Sequence, residues 1–323
     1  MRTANLGPLG EVSRLTLGGG GIGLVWGASS RDEAQATLGA AVESGINLID
    51  TAPMYGACEA IIGETFQGAP PAHLRFTSKC ALGSPAPGQA GAHIEASVEA
   101  TLKTMRLERL DLYFLHSSMA PDGYAYAHGD GGRDQFSTRW SIYQDEVIPA
   151  FERLKAQGRI GAWGITGIGV PQTVLAALAH EPKPAVAQVI TNLLDSAGGI
   201  RRYAEPPIPR TILAAARARE VGVMGIRAVQ AGALTLAIDR PLSPNHPDAR
   251  DFDRAGPFRT LCRSWGEDPA LVAHRDALGM ECVDTLVLGV KNRNELDQAL
   301  TAEAAGPLDP AQLLQIEQLG LRT

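Results

Sequence analysis

Eight times along this chain a short run rich in aliphatic and β-branched residues gives way to a stretch with helical spacing, and no other feature constrains the fold as much. The runs are Leu15–Gly18, Ile46–Thr51, Leu74–Lys79, Leu110–His116, Ile160–Thr166, Ala185–Ile190, Gly222–Arg227 and Thr285–Gly289. Several are continuously apolar, as in Leu112-Tyr113-Phe114-Leu115, the pattern of strands covered on both faces. Between them, Ser30-Arg31-Asp32-Glu33 predicts a capping box opening a helix that stops at Gly45. His93–Met105 places Ile94, Val98, Leu102 and Met105 on one helical face, Glu146–Gln157 precedes the C-cap candidate Gly158, and Asn294–Glu303 follows the last run. Alternation of this kind implies a parallel sheet with crossover helices. The expected fold class is α/β, a closed (β/α)8 TIM barrel forming one domain over 1–323. A hairpin should precede it, turned by Gly7-Pro8 and Gly10. An open, doubly wound sheet is the alternative. Against it, the run Gly18–Gly21 continues into Ile22-Gly23-Leu24-Val25 without a G-x-G-x-x-G fingerprint.

A chain of 323 residues can bury a full core without metal or disulfide staples. Its net charge of −6 argues against a nucleic-acid or anionic-membrane partner, while leaving room for a local basic pocket. Cys58, Cys80, Cys262 and Cys282 form no C-x-x-C pair. No signal-like N-terminus or membrane-length apolar run is seen, so a cytoplasmic protein with free thiols is expected.

Two long connections interrupt the alternation, from Ser117 to about Tyr143 and from about Leu236 to Phe258. Both follow strand C-terminal ends, which form the active-site face of a barrel. Polar residues gather at the same ends: Asp50 and, five residues on, Tyr55; Lys79; and His116. A Lys beside a Tyr hydroxyl favours the phenolate and should lower the Tyr pKa, an Asp keeps that ammonium charged, and a His can orient a carbonyl oxygen. Each residue alone has a plainer explanation. Asp50 could cap a turn, Tyr55 pack at the rim, Lys79 reach solvent and His116 be a satisfied core histidine. Cys80 is expected to be an inert buried thiol.

The segment Gly45-Ile46-Asn47-Leu48-Ile49-Asp50-Thr51-Ala52-Pro53-Met54-Tyr55-Gly56, followed by Glu59 and Ile62-Gly63, resembles the signature of the aldo-keto reductase family. Ser78-Lys79 and Leu115-His116 fall at the family's distances downstream, and Leu6-Gly7 through Leu15 resembles its barrel-plugging hairpin. The resemblance covers nearly the whole chain. It implies a nicotinamide cofactor bound without a Rossmann motif, Tyr55 as acid/base tuned by Lys79 and Asp50, and His116 as carbonyl orienter. Gly19 and Gly20 would line the cofactor, and Thr166 and Gln188 would meet its carboxamide. Gly167 departs from the family's Asn at the end of strand five, and Ile226-Arg227-Ala228-Val229 lacks the family's stacking Tyr. Arg227 would then reach the pyrophosphate or form a structural ion pair.

Gly289-Val290-Lys291-Asn292-Arg293-Asn294-Glu295 resembles the family's adenosine-phosphate loop, entering a helix N-terminus. The resemblance implies Lys291 and Arg293 as partners of a 2′-phosphate, favouring NADP(H); Glu295 could instead accept from the free ribose hydroxyl of NAD(H). The first long connection, with Met119, Tyr124, Tyr126, His128, Phe136, Trp140 and Tyr143, suits a substrate lid or an interface with another subunit. Trp26, Tyr55, His116, Tyr124, Tyr126 and Trp140 are the candidate substrate contacts. Fewer than two dozen residues follow Asn294–Glu303, which leaves a long C-terminal specificity loop unexpected. The expected substrate is a small carbonyl or alcohol: a hydroxy-ketone, sugar or aromatic aldehyde. Alternatives are a sugar- or pyridoxal-type alcohol dehydrogenase of the same fold, a cofactor-sensing regulatory subunit, and a phosphate-handling barrel of another family. Oligomeric state stays open.

Overall fold

The structure is a computed structural model that describes residues 1–25, 27, 29–125 and 135–322. Eight parallel strands close a barrel: β1 Leu15–Gly18, β2 Leu48–Asp50, β3 Arg75–Cys80, β4 Leu110–Leu115, β5 Ile160–Thr166, β6 Val186–Ile190, β7 Gly222–Ile226 and β8 Thr285–Leu288. Each pairs with the next and β8 returns to β1, with Leu286 opposite Leu15. All eight expected runs are strands, within two residues at each end. The hairpin is present, Thr3–Asn5 against Glu11–Ser13. Its Leu6, Leu9 and Val12 meet Leu48, Leu112, Phe114, Ala162, Val186 and Met224 of the barrel interior. Each such side chain contributes about 1.5–3 kcal/mol by burial, so the hairpin is held by the core it plugs.

The crossover helices are α1 Arg31–Glu43, α2 Cys58–Phe66, α3 Ala90–Met105, α4 Ile148–Ala156, α5 Pro171–Ala179 and α6 Pro209–Ala218. The β7–β8 connection carries α7 Pro247–Arg254, α8 Gly256–Trp265 and α9 Pro269–Gly279; α10 Arg293–Ala305 and α11 Pro310–Gln318 follow β8. Proline at the first turn opens α5, α6, α7, α9 and α11, where its missing N–H costs nothing. Ser30 caps α1 by accepting from Glu33 N at 3.1 Å, but the box is half closed: the Glu33 carboxylate turns to Arg293 instead.

Three expectations change. The helix read as Glu146–Gln157 is entered earlier, through a π turn at Tyr143–Val147. The connection from Leu236 to Phe258 becomes helical from Pro247 on, where Asp248 and Asp251, one turn apart on α7, anchor it to Arg227 and Gln230 (2.7 Å each). The tail is not bare either, since α11 packs Ile316 into a cluster with Phe258 and Val272. The first long connection returns as a short parallel ladder, Ser118–Ala120 against Ser137–Arg139.

Candidate active site

Four inward positions near the C-terminal ends of β2, β3 and β6 build one buried polar cluster. Lys79 is fully buried and donates to Asp50 Oδ2 at 2.6 Å and to Thr51 O at 2.8 Å. The other oxygen of Asp50 accepts from Thr77 Oγ1 at 2.6 Å and from Gln188 Nε2 at 2.8 Å. Thr77 shares its face of β3 with Lys79 by strand alternation. A buried carboxylate needs this full set of donors, because isolated charge in an apolar interior is costly.

Tyr55 lies over this pair. The Lys79 ammonium is 4.6 Å from its ring centroid, a cation set against the phenol. His116 meets the Tyr55 ring edge-on at 5.6 Å. Backbone contact sets the position of Tyr55: Ala57 N donates to Gly23 O at 3.1 Å, and a Cβ on Gly23 would come within 1.9 Å of Tyr55 O. Gly56, at φ 55°, makes the reciprocal approach to Gly23 O. The glycines after β1 therefore let the Tyr55 loop close on the barrel rim.

The electrostatics correct one expectation. Burial pushes the Tyr55 hydroxyl up, and the pull of Lys79 in the other direction does not overcome it, so its pKa is raised rather than lowered. Burial opposes the charge on Lys79, but Asp50 and Tyr55 outweigh it and raise that pKa. The arrangement holds a neutral phenol against a permanent cation. Burial, with Lys79 nearby, lowers His116 to about 3, so its imidazole is neutral at physiological pH. Buried Cys58 and Cys80 are pushed up to about 12 and about 11, as inert thiols should be.

Two buried polar atoms at this mouth have no protein partner: His116 Nδ1 and Thr51 Oγ1. The plainer readings of Lys79 as solvated and His116 as satisfied therefore do not describe this protein. Thr166 Oγ1 donates to Leu115 O at 3.1 Å and keeps its lone pairs to accept an amide N–H, so the residues present fit a carboxamide-bearing ring beside Tyr55. Gln188 instead serves Asp50. Gly19 and Gly20 stand buried in the helical turn that continues β1, and a Cβ at Gly19 would meet Cys58 Sγ at 2.6 Å.

Arg227 is found in the ion pair, with Asp248 at 2.7 Å and Gln230 at 2.8 Å. Lys291, after Gly289 at the end of β8, is bound by the Asp239 carboxylate and by Glu295 at 3.1 Å. Arg293 is held by Glu33 at 2.9 Å. The cations expected for a 2′-phosphate are thus already partnered. Trp140 packs its ring on Tyr143 and on His180 at the cap of α5. Tyr124 donates to Glu205 at 2.6 Å and accepts from Ala204 N, tying the first connection to the segment after β6. Trp26 and Tyr126 lie outside the described residues. Thr77 and Thr51 were missed from sequence, although alternation from Lys79 pointed to Thr77.

A sequence model of the Aldo/keto reductase family matches residues 14–320. The chain is 22% identical to an L-galactose dehydrogenase of Arabidopsis thaliana, over 96% of this chain and 91% of that protein. It is 32% identical to a methylglyoxal reductase of Escherichia coli over 49% of this chain and 48% of that one. Among solved structures it superposes on the holo form of an aldo-keto reductase from Bacillus halodurans with a TM-score of 0.69, at 21% identity and covering 98% and 95% of the two chains. A glycerol dehydrogenase from Gluconobacter oxydans gives 0.71 at 22% identity, covering 98% and 94%. Match to the family model from the first barrel strand to the last helix shows that the chain belongs to the aldo/keto reductase family.

Proposed function

We propose that this chain interconverts a small carbonyl compound and its alcohol, with Tyr55 as the acid in reduction and the base in oxidation. The observation that carries this reading is the buried Asp50–Lys79 pair with the Tyr55 ring set against the ammonium and an unpartnered His116 nitrogen beside the phenol. A bound reduced nicotinamide supplies the hydride to the carbonyl carbon. His116, neutral, orients the carbonyl oxygen through a ring N–H. Tyr55 gives its proton to that oxygen as negative charge develops, and Lys79 stabilises the phenolate left behind. Asp50 holds the ammonium in place, itself held by Thr77 and Gln188. The reverse sequence oxidises an alcohol.

Thr166 and Gln188 would stand at the nicotinamide end, with Gly19 and Gly20 along the way. Gly289, Lys291, Arg293 and Glu295 would stand at the adenosine end. The relative aligned over nearly its whole length is named a sugar dehydrogenase, and a structural neighbour a polyol dehydrogenase. These names support a polyhydroxylated substrate and the alternative of physiological alcohol oxidation. Among the described residues no helix is long and apolar enough to cross a membrane, and the four cysteines are unpaired, which supports a reducing compartment such as the cytoplasm.

The test is cofactor titration by fluorescence, then turnover on a panel of carbonyls and polyols with Tyr55→Phe as control. Loss of a general acid should lower kcat by about 10²–10⁴-fold. Normal turnover by that variant would refute the mechanism, and cofactor binding without turnover would favour a regulatory subunit.

A further inference from the structure

The adenosine end proposed above carries more carboxylate than cation. Lys291, only 15% exposed, is bound by Asp239 from the β7–β8 connection and by Glu295 in the first turn of α10. Arg293 is bound through both side-chain and backbone N–H by Glu33 of α1. Lys291 and Arg293 thus face three carboxylates; Arg240 stands 3.9 Å from the other oxygen of Asp239 but is shared with Asp248, and Asp297 adds further negative charge near Arg293. The Lys291 main chain is also occupied: its N–H donates to Glu295 Oε2 at 2.9 Å, and its carbonyl accepts from Ser29 Oγ at 3.0 Å.

A phosphate monoester carries about −1.5 to −2 charges at neutral pH. To bind here it must draw Lys291 away from two carboxylates and then lie beside them. Like-charge juxtaposition of this kind is an effective device for rejecting a ligand. A free ribose hydroxyl has the opposite requirement, since it donates, and carboxylate oxygens accept. Lys291 can remain in its ion pairs while Glu295 or Asp239 accepts the hydrogen bond from that hydroxyl.

We propose that this cluster excludes the 2′-phosphate, so that the chain uses NAD(H) in preference to NADP(H), with Asp239 and Glu295 as the specificity-determining residues. This reverses the preference expected from Lys291 alone. It rests on the reading that a nicotinamide dinucleotide lies with its adenosine end at Lys291.

The experiment is fluorescence titration of the intact protein with NADH and with NADPH, for the parent, Asp239→Asn, Glu295→Gln and the double variant. The parent should bind NADH at least about tenfold more tightly than NADPH. Each substitution should shrink the ratio of the two dissociation constants, and Asp239→Asn should do so by tightening NADPH binding. In the parent, the ratio should also shrink as ionic strength rises, because exposed like-charge repulsion is screened. A parent that binds NADPH as tightly as NADH overturns the proposal, as does a ratio unmoved by both substitutions and by salt. Binding of neither cofactor overturns the functional reading and this inference with it.

Discussion

Separating the charges of Lys79 and Asp50 by mutation should expose how strongly the candidate site depends on their pairing. Their contact is 2.6 Å and both are essentially sealed from solvent. With charge centres about 4 Å apart and an effective dielectric near 20, the attraction is about 4 kcal/mol. Removing one member of a buried pair typically costs about 3–5 kcal/mol, because the other is left uncompensated. In Lys79→Met the carboxylate keeps Thr77 and Gln188 as donors, so the lower end applies. In Asp50→Asn the amine can lose its proton instead, which caps the penalty. From an unfolded pKa of ~10.4, that cap is about 4 kcal/mol at pH 7.5 and about 2 kcal/mol at pH 9. The Asp50→Asn defect should therefore shrink across that interval. In the parent the sign is opposite: Lys79 and Tyr55 both have raised folded pKa values, so their contribution is whole at neutral pH and falls above about pH 10. The double variant buries no charge and should be more stable than the sum of the single losses predicts by about 2 kcal/mol or more. Urea unfolding followed by circular dichroism at the two pH values measures all of this. Additivity within about 0.5 kcal/mol would refute the coupling, and a pH-independent Asp50→Asn defect would refute the reasoning about the amine.

Because desolvation around its sealed Nδ1 holds the His116 pKa at about 3, the parent should lose stability as pH falls below about 6.5, where the unfolded chain takes up the proton first. His116→Gln should lose less between pH 6.5 and 4, by up to about 3 kcal/mol in unfolding experiments. A Cβ at Gly23 collides with the Tyr55 carbonyl, so Gly23→Ala should cost about 1–3 kcal/mol. The same substitution should lower kcat by up to about a hundredfold through misplacement of Tyr55; a variant with unchanged kcat would show that the rim tolerates the shift.

How much of this was legible in the sequence depends on the range of the interaction concerned. Strand runs such as Leu110–Leu115 declare themselves because their apolar pattern is local and both faces are covered. Asp50, Tyr55, Lys79 and His116 were legible because a barrel brings strand ends together whatever its loops do. The sign of the Tyr55 shift was not, since it depends on how burial and Lys79 balance in three dimensions. Neither were the partners of Lys291 and Arg293. Asp239 is 52 residues from Lys291 in sequence, and Glu33 is 260 from Arg293. Even the capping pattern at Ser30 misled for this reason: Glu33 met an Arg across the fold that offered a stronger bond than the backbone N–H it was expected to accept from.

Two sheltered ion pairs at the barrel mouth differ in what surrounds them, and the difference is why one is read as structural and the other is proposed to be reactive. Arg227 lies at the end of β7 with Asp248 of α7 against it, and the contacts around them run to the connection and to the segment after β6: Gln230 to Asp251, Asp251 to Ser196, Asp248 to Gly199 N and to Arg240. The result pins α7 over the segment after β6. Lys79 and Asp50 are as deeply enclosed, yet beside them Tyr55 carries a transferable proton and His116 a ring nitrogen without a partner. A satisfied network lowers the energy of one arrangement and resists change. On the proposed function, a network satisfied everywhere except at the His116 nitrogen would keep its bonding capacity for a ligand atom. On this criterion the residue types alone, a basic side chain on an aspartate in each case, could not have told the two apart. Unpartnered atoms occur elsewhere too, as at Tyr143 and His180; what sets the Lys79–Asp50 pair apart is that one stands together with a phenol at its side.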